Sequence, residues 1–277
     1  MAKIGQFNFL KIIRKTARGT FLDAGKDGQV FLPAKLTPSH CEAGDKIQVF
    51  LYHDSNDELI ATTQKPRVEV GGVACLKVVS VNQIGAFLDW GLPKDLFVPY
   101  GQQQQKMGEG EFHIVHVYED NTGRVCGSSK LNQKIKPESH GLNTGDEVHL
   151  MVGDETDLGK KMIVNGKFWG VLHHDEIFRE LKYGQSLKGY IKKLRSDNKL
   201  DITLKKPGYS SGDALAEKII KHLEDNNGHS SLNDKSAPEQ IYQTFGVSKK
   251  VFKAEIGALY KQRKIVIKKD GIYLSIE

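Results

Sequence analysis

The sequence predicts a mainly β, multidomain chain in which three tandem five-stranded barrels precede a small α+β domain. Three observations lead there. First, the 277-residue chain repeats itself at a spacing of 66: Arg18-Gly19-Thr20-Phe21-Leu22-Asp23 is echoed by Ile84-Gly85-Ala86-Phe87-Leu88-Asp89, and Val30-Phe31-Leu32-Pro33 by Leu96-Phe97-Val98-Pro99. A period of that length exceeds solenoid repeats and fits a duplicated small domain. Second, proline-containing joints recur at Gln64-Lys65-Pro66-Arg67, Lys136-Pro137-Glu138-Ser139 and Lys206-Pro207-Gly208-Tyr209, each after an apolar run, where a missing N–H ends a strand ladder. Third, beyond Gly212 the apolar spacing changes from two residues to the helical period.

The domains are expected at 1–66, 67–137, 138–207 and 212–277. In the first, Phe7, Phe9 and Ile12-Ile13 open a strand, Phe21-Leu22 and Val30 to Leu32 follow glycines, Ile47, Val49 and Leu51 alternate, and Leu59 to Thr63 closes the unit. Five short runs separated by Gly, Asp and Asn turns describe a small barrel. The second unit runs Val73–Val81, Gly85–Trp90, Leu96–Val98, Phe112–Tyr118 and Val125–Leu131. In the third, Val148, Leu150 and Val152 alternate, Lys161 to Asn165 stands in for the glycine–phenylalanine hairpin with Met162 in place of the phenylalanine, and Gly170 to His173 corresponds to the segments ending in Pro33 and Pro99. Leu187 to Leu194 and Leu200 to Leu204 complete it.

In the last domain Leu215, Ile219, Ile220 and Leu223 share a helical face that stops at Asn226-Asn227-Gly228. Ser236-Ala237-Pro238-Glu239 reads as a capping box opening a second helix through Tyr242 and Phe245, ended by Gly246. Ser248 caps a third helix whose Phe252, Ile256, Leu259 and Tyr260 share a face, and two short strands flank a turn at Lys269-Asp270-Gly271. Three helices and a terminal hairpin in that order spell a winged helix-turn-helix.

Composition narrows the class. Forty Lys and Arg against 34 Asp and Glu give +6, which hints at an anionic partner. Cys41, Cys75 and Cys126 make neither a disulfide framework nor a zinc knuckle, no apolar run approaches a membrane span, and the first residues lead into no apolar signal segment. A cytoplasmic setting without a membrane partner is the expectation. There is no phosphate-binding glycine loop or nucleophile elbow, and His173-His174-Asp175-Glu176 lacks the spacing of a metal site. No catalytic activity, metal or cofactor is therefore expected.

The segments Ile84-Gly85-Ala86-Phe87-Leu88 and Gly123-Arg124 resemble the ribosomal protein S1 type of RNA-binding OB domain. Three such units followed by Phe245-Gly246-Val247-Ser248-Lys249-Lys250-Val251-Phe252-Lys253 and Gly257-Ala258-Leu259-Tyr260-Lys261 resemble the bacterial conserved virulence factor B family over nearly the whole chain. The resemblance implies a non-enzymatic, cytoplasmic protein that binds single-stranded RNA and affects gene expression. It also implies a stacking role for Phe87 and Phe21 and an acidic–basic pair at Asp120 and Arg124. Departures are plain: Arg18 and Ile84 stand where a second aromatic is common, and the histidine after the third strand survives only as His173.

Alternation independently turns Phe21 and Phe87 outward if Leu22 and Leu88 point in, although packing within a barrel or a domain contact would also account for them. Between Arg179 and Lys206 nine basic residues (Arg179, Lys182, Lys188, Lys192, Lys193, Arg195, Lys199, Lys205 and Lys206) face three acidic ones, a local +6 that reads as a phosphate track or as a solvated strand edge. The candidate RNA-binding set is Arg18, Phe21, Phe87, Lys94, Asp120, Arg124, His173, Lys182, Lys192, Lys193, Arg195, Lys199, Lys205 and Lys206. Lys250, Lys253 and Lys261 on the third helix complete it. The third helix lacks Arg, Asn and Gln between Ser248 and Tyr260, so it suits backbone contact or docking better than base reading. Rival readings are a DNA-binding regulator acting through the winged helix and an adaptor on a ribosome or polymerase.

Overall fold

The computed structural model describes residues 2–177, 179–206 and 211–275; the joint at Pro207 to Ser210 lies outside them. Barrel one is formed by β1 (Phe7–Thr16), β2 (Gly19–Asp23), β3 (Gln29–Pro33), β4 (Lys46–His53) and β5 (Leu59–Thr62). Barrel two is formed by β6 (Val73–Val81), β7 (Gly85–Asp89), β8 (Leu96–Pro99), β9 (Phe112–Glu119) and β10 (Val125–Ser128). Barrel three is formed by β11 (Glu147–Thr156), β12 (Gly159–Val164), β13 (Phe168–His173), β14 (Ser186–Leu194) and β15 (Leu200–Thr203). All three close in the same order, first-second-third-fifth-fourth and back to the first, with the third and fifth strands parallel. That is the OB architecture.

The 66-residue repeat is physical as well as textual. The first strand bulges between Ile12 and Arg14 in barrel one and between Val78 and Ser80 in barrel two, the local bend that lets a short sheet curl shut. The hairpin glycine is obligatory because β2 and β3 approach too closely for a side chain: a Cβ on Gly19 would lie 2.3 Å from the Leu32 carbonyl oxygen, and one on Gly85 2.4 Å from that of Val98. Alternate residues fill each barrel, with Leu22, Val30 and Leu32 in the first, Leu88, Leu96 and Val98 in the second, and Met162, Leu172 and Ile202 in the third, all at most 1% exposed.

The barrels are fused rather than strung. Phe50 and Tyr52 alternate with the inward Val49 and Leu51, yet they are also buried, because barrel two covers them: Trp90 meets both edge-on, with ring centroids 5.8 and 6.4 Å away. Between barrels two and three Ile114, Ile135 and Ile163 pack together, and the joint makes a single parallel bridge to β13, where the Lys136 amide donates to the Lys167 carbonyl and the Trp169 amide to that of Lys136. These three barrels make one compact unit ending at Leu204.

The remainder is a winged helix. It comprises α1 (Ser211–Asp225), β16 (His229–Ser230), α2 (Pro238–Phe245), α3 (Lys249–Lys261), β17 (Ile265–Lys268) and β18 (Gly271–Leu274), with the sheet ordered β16-β18-β17. Leu215, Ile219, Ile241, Phe245, Phe252 and Ile256 form its core. The Ser248 hydroxyl accepts from the Val251 amide as an N-cap, and Gly246 ends α2 in the left-handed region. Two expectations are corrected. The N-cap of α2 is Ala237, since the Ser236 hydroxyl is turned back to accept from the Asn233 amide at 2.9 Å, so no capping box forms. Tyr260 is 54% exposed, because eight residues carry it about 80° around the helix from Phe252, past the edge of the buried face. Tyr242 is likewise exposed. No helix among the described residues is long and apolar enough to cross a membrane.

Candidate nucleic-acid interface

Barrel two assembles the most complete site. The Gly85 hairpin sets Phe87 on β7 directly opposite Phe97 on β8, and both point outward because Ala86, Leu88, Leu96 and Val98 fill the interior. Their rings are half-exposed and 5.2 Å apart, tilted by 32°. They floor a cleft of about 180 Å³ against barrel one, lined also by Ile84, Trp90, Tyr52 and His53, with Lys94, Asp57 and Arg124 among its walls. The Lys94 ammonium donates to the Asp54 carbonyl oxygen at 2.6 Å and lies 3.5 Å from the Asp57 carboxylate, which the Arg124 guanidinium also binds.

Asp120 and Arg124 are joined, but not as opposite side-chain charges. The Asp120 carboxylate accepts from the backbone amides of Thr122 and Arg124 at 2.8 and 3.0 Å and from the Thr122 hydroxyl. Partial burial opposes its ionisation, yet these bonds prevail and hold its carboxyl below the usual range. Asp54, 66 residues earlier, does the same for the amides of Asn56 and Glu58. The acidic residue thus shapes the turn before the last strand, leaving the Arg124 guanidinium to cross to barrel one. Burial and then the Asp120 charge push the neighbouring Cys126 thiol up to about 11, so it is a neutral wall group.

Barrel one repeats the aromatic pair and closes it. Phe21 opposes Phe31 with ring centroids 5.3 Å apart, but the Arg14 guanidinium lies over the Phe21 ring at 3.8 Å. In barrel two that position is Ser80, and among the described residues no cation covers Phe87. Arg18 is exposed on the β1–β2 turn.

Barrel three requires a correction. Gly159 pairs with His173 as Gly19 does with Pro33 and Gly85 with Pro99, so Lys161 occupies the phenylalanine position, opposite Val171, and Met162 is fully buried in place of Leu22 or Leu88. The hairpin glycine is Gly159, two residues before the segment the spacing suggested. The Lys161 ammonium sits 3.8 Å over the Trp169 ring and donates to the Asn132 side-chain oxygen, and burial lowers its pKa against the opposing pull of Asp154. His173 and Arg195 both reach Asp201, at 3.1 and 2.9 Å. A cleft of about 380 Å³ beside them is lined by Ile135, Trp169, Val171, Arg195, Lys199 and Leu200.

The basic stretch is less charged than its sequence. Lys188, Lys192, Arg195 and Lys199 pair with Glu147, Glu176, Asp201 and Asp197, and two of those acids, Glu147 and Glu176, come from outside the stretch. Lys182 and Lys193 are exposed and make no ion pair among the described residues, Lys205 is partly buried and Lys206 is exposed. On the winged helix Lys250 and Lys261 are exposed, and Lys253 lies 3.9 Å from Asp234. Sequence reasoning passed over Phe31 and Phe97, although both lie within the echoed segments and alternate with apolar neighbours. It passed over Arg14 and Asp57 for another reason: their partners are brought near only by folding.

A chain of OB barrels carrying outward aromatic pairs beside cations, followed by a winged helix, is a multidomain nucleic-acid-binding protein. A family profile described as the S1 domain matches residues 4–64 and 70–130, and one described as the CvfB-like winged helix domain matches 217–274. Protein YitL of Bacillus subtilis (strain 168) is 27% identical over 94% of this chain and 90% of its own length. Conserved virulence factor B of Staphylococcus epidermidis (strain ATCC 12228) is 24% identical over 98% and 95%, and that of Staphylococcus aureus (strain USA300) is 24% identical over 98% and 94%. A crystal structure described as a multidomain protein with nucleic acid binding domains, from Streptococcus pneumoniae TIGR4, aligns over 98% of both chains at 26% identity with a TM-score of 0.43. The chain therefore carries two S1 domains and a CvfB-like winged helix domain, and it is similar over nearly its whole length to conserved virulence factor B.

Proposed function

We propose that this protein binds single-stranded RNA without catalysing a reaction on it, and acts in the cytoplasm in post-transcriptional regulation of gene expression. The observation that carries the reading is the open Phe87–Phe97 pair with Lys94 and Arg124 on the same cleft. Unpaired bases stack on such rings, each worth roughly 1–3 kcal/mol, while cations follow the phosphates. Duplex bases, already stacked, have no free face to offer. The winged helix supports backbone contact rather than sequence reading, because exposed Ala254 and half-buried Gly257 and Ala258 lie among the lysines of α3. A ribosome or other RNA-associated complex fits the same surfaces.

The test is a fluorescence-anisotropy competition on the full chain between a labelled single-stranded oligoribonucleotide and duplex DNA of equal length. The expected result is preference for the single strand, with affinity falling as salt rises. Duplex preference retained after removal of residues 1–204 would transfer the function to the winged helix.

A further inference from the structure

Asp57 has no counterpart across the repeat, where Gly123 stands, and among the described residues its carboxylate has no partner within its own barrel. It sits in the β4–β5 turn of barrel one with a left-handed backbone (φ 62°), and its carboxylate is gripped by Lys94 and Arg124 of barrel two. The turn does not depend on that grip. Asp54 accepts the amides of Asn56 and Glu58, the Asp54 amide donates to the Glu58 carbonyl, and Lys94 holds the Asp54 carbonyl separately. The Asp57 and Arg124 side chains are 44% and 57% exposed, and ion pairs so open to water are weakly held and readily exchanged. Barrel one lacks the arrangement, since the positions 66 residues before Lys94 and Arg124 hold Gly28 and Glu58.

We infer that Lys94 and Arg124 form a phosphate seat at the rim of the barrel-two cleft, that Asp57 fills this seat in the free protein, and that a backbone phosphate of RNA displaces the Asp57 carboxylate when a base stacks on Phe87 and Phe97. This rests on the single-stranded RNA reading. An arginine and a lysine converging on one anion beside an aromatic pair present, on one cleft, the two features of a nucleotide: a phosphate between cations and a planar base. Asp57 therefore sets the affinity of the site. Exchanging one anion for another also leaves the seat's charge balance unchanged, so these two cations contribute little to the salt dependence of binding.

The experiment titrates the full chain into a labelled single-stranded oligoribonucleotide at several salt concentrations. Asp57→Asn keeps the turn, because asparagine also tolerates the left-handed region. The account expects binding about three- to tenfold tighter and a salt slope steeper by about 0.7 for each phosphate newly neutralised. Glu42→Gln, an exposed acid before β4 of the same barrel, makes the same charge change at the opposite end of that strand from the seat and is expected to do neither. Adding Arg124→Gln to Asp57→Asn should abolish the gain. Affinity of Asp57→Asn that is unchanged, weaker, or matched by Glu42→Gln overturns the seat. If that happens while loss of Phe87 and Phe97 still weakens binding, the RNA reading stands and the seat alone falls. Absence of RNA binding by the native chain removes both.

Discussion

Barrels one and two share strand order, bulge position, hairpin glycine and an outward phenylalanine pair, all at a constant spacing of 66 residues. They differ in the side chains around that pair. Barrel one puts Arg14 over its ring and has Gly28 and Glu58 where barrel two has Lys94 and Arg124. A guanidinium stacked on an aromatic satisfies the face a base would use, so the first platform is closed and the second open. The two barrels share a scaffold, and on the proposed function a few exposed differences make barrel two the one that binds and barrel one the one that supports. The support is literal, because barrel one supplies Tyr52, His53 and Asp57 to the cleft of barrel two.

That division can be broken at the seam. Trp90 is 2% exposed and packs edge-on against Phe50 and Tyr52 of the neighbouring barrel. Trp90→Ala is expected to cost about 3–5 kcal/mol, as deletion of a fully buried aromatic does. Urea unfolding followed by circular dichroism should show a lower midpoint for the barrel unit, and RNA affinity should fall with it because the cleft loses a wall. A midpoint within error of the native one would mean that the two barrels do not depend on this contact.

A gentler substitution exchanges the barrels' characters. Ser80→Arg places in barrel two the side chain that covers Phe21 in barrel one and should reduce RNA affinity about fivefold, the order of magnitude of one partly lost stacking contact. Stability should barely change, since Ser80 is exposed. Tighter binding would show that an added cation outweighs a covered ring, and that Arg14 is a phosphate contact rather than a lid.

The barrels themselves were legible because their determinants are local or periodic: alternation, hairpin glycines and proline joints. The winged helix was legible for the same reason, down to the Ser248 cap and the Gly246 stop. What escaped was made by contacts between elements. Phe50 and Tyr52 are buried by a neighbouring domain, Glu147 and Glu176 neutralise lysines far along the chain, and Asp57 meets its partners across a seam. Met162 was misplaced because the third copy has Lys161 and Val171 at the positions of the two phenylalanines, and only the pairing of Gly159 with His173 reveals that Lys161 is the outward residue. A shift of one residue along a strand moves a side chain from surface to core.

The central claim is that barrel two, and not barrel one, is the stacking platform. The direct measurement is the dissociation constant of a single-stranded oligoribonucleotide for two double variants of the full chain, Phe87→Ala with Phe97→Ala and Phe21→Ala with Phe31→Ala, each verified as folded by circular dichroism. The account predicts a loss of about ten- to a hundredfold for the barrel-two pair, corresponding to roughly 1–3 kcal/mol per stacked base, and less than about threefold for the barrel-one pair. Equal losses, or a larger loss from barrel one, would contradict it.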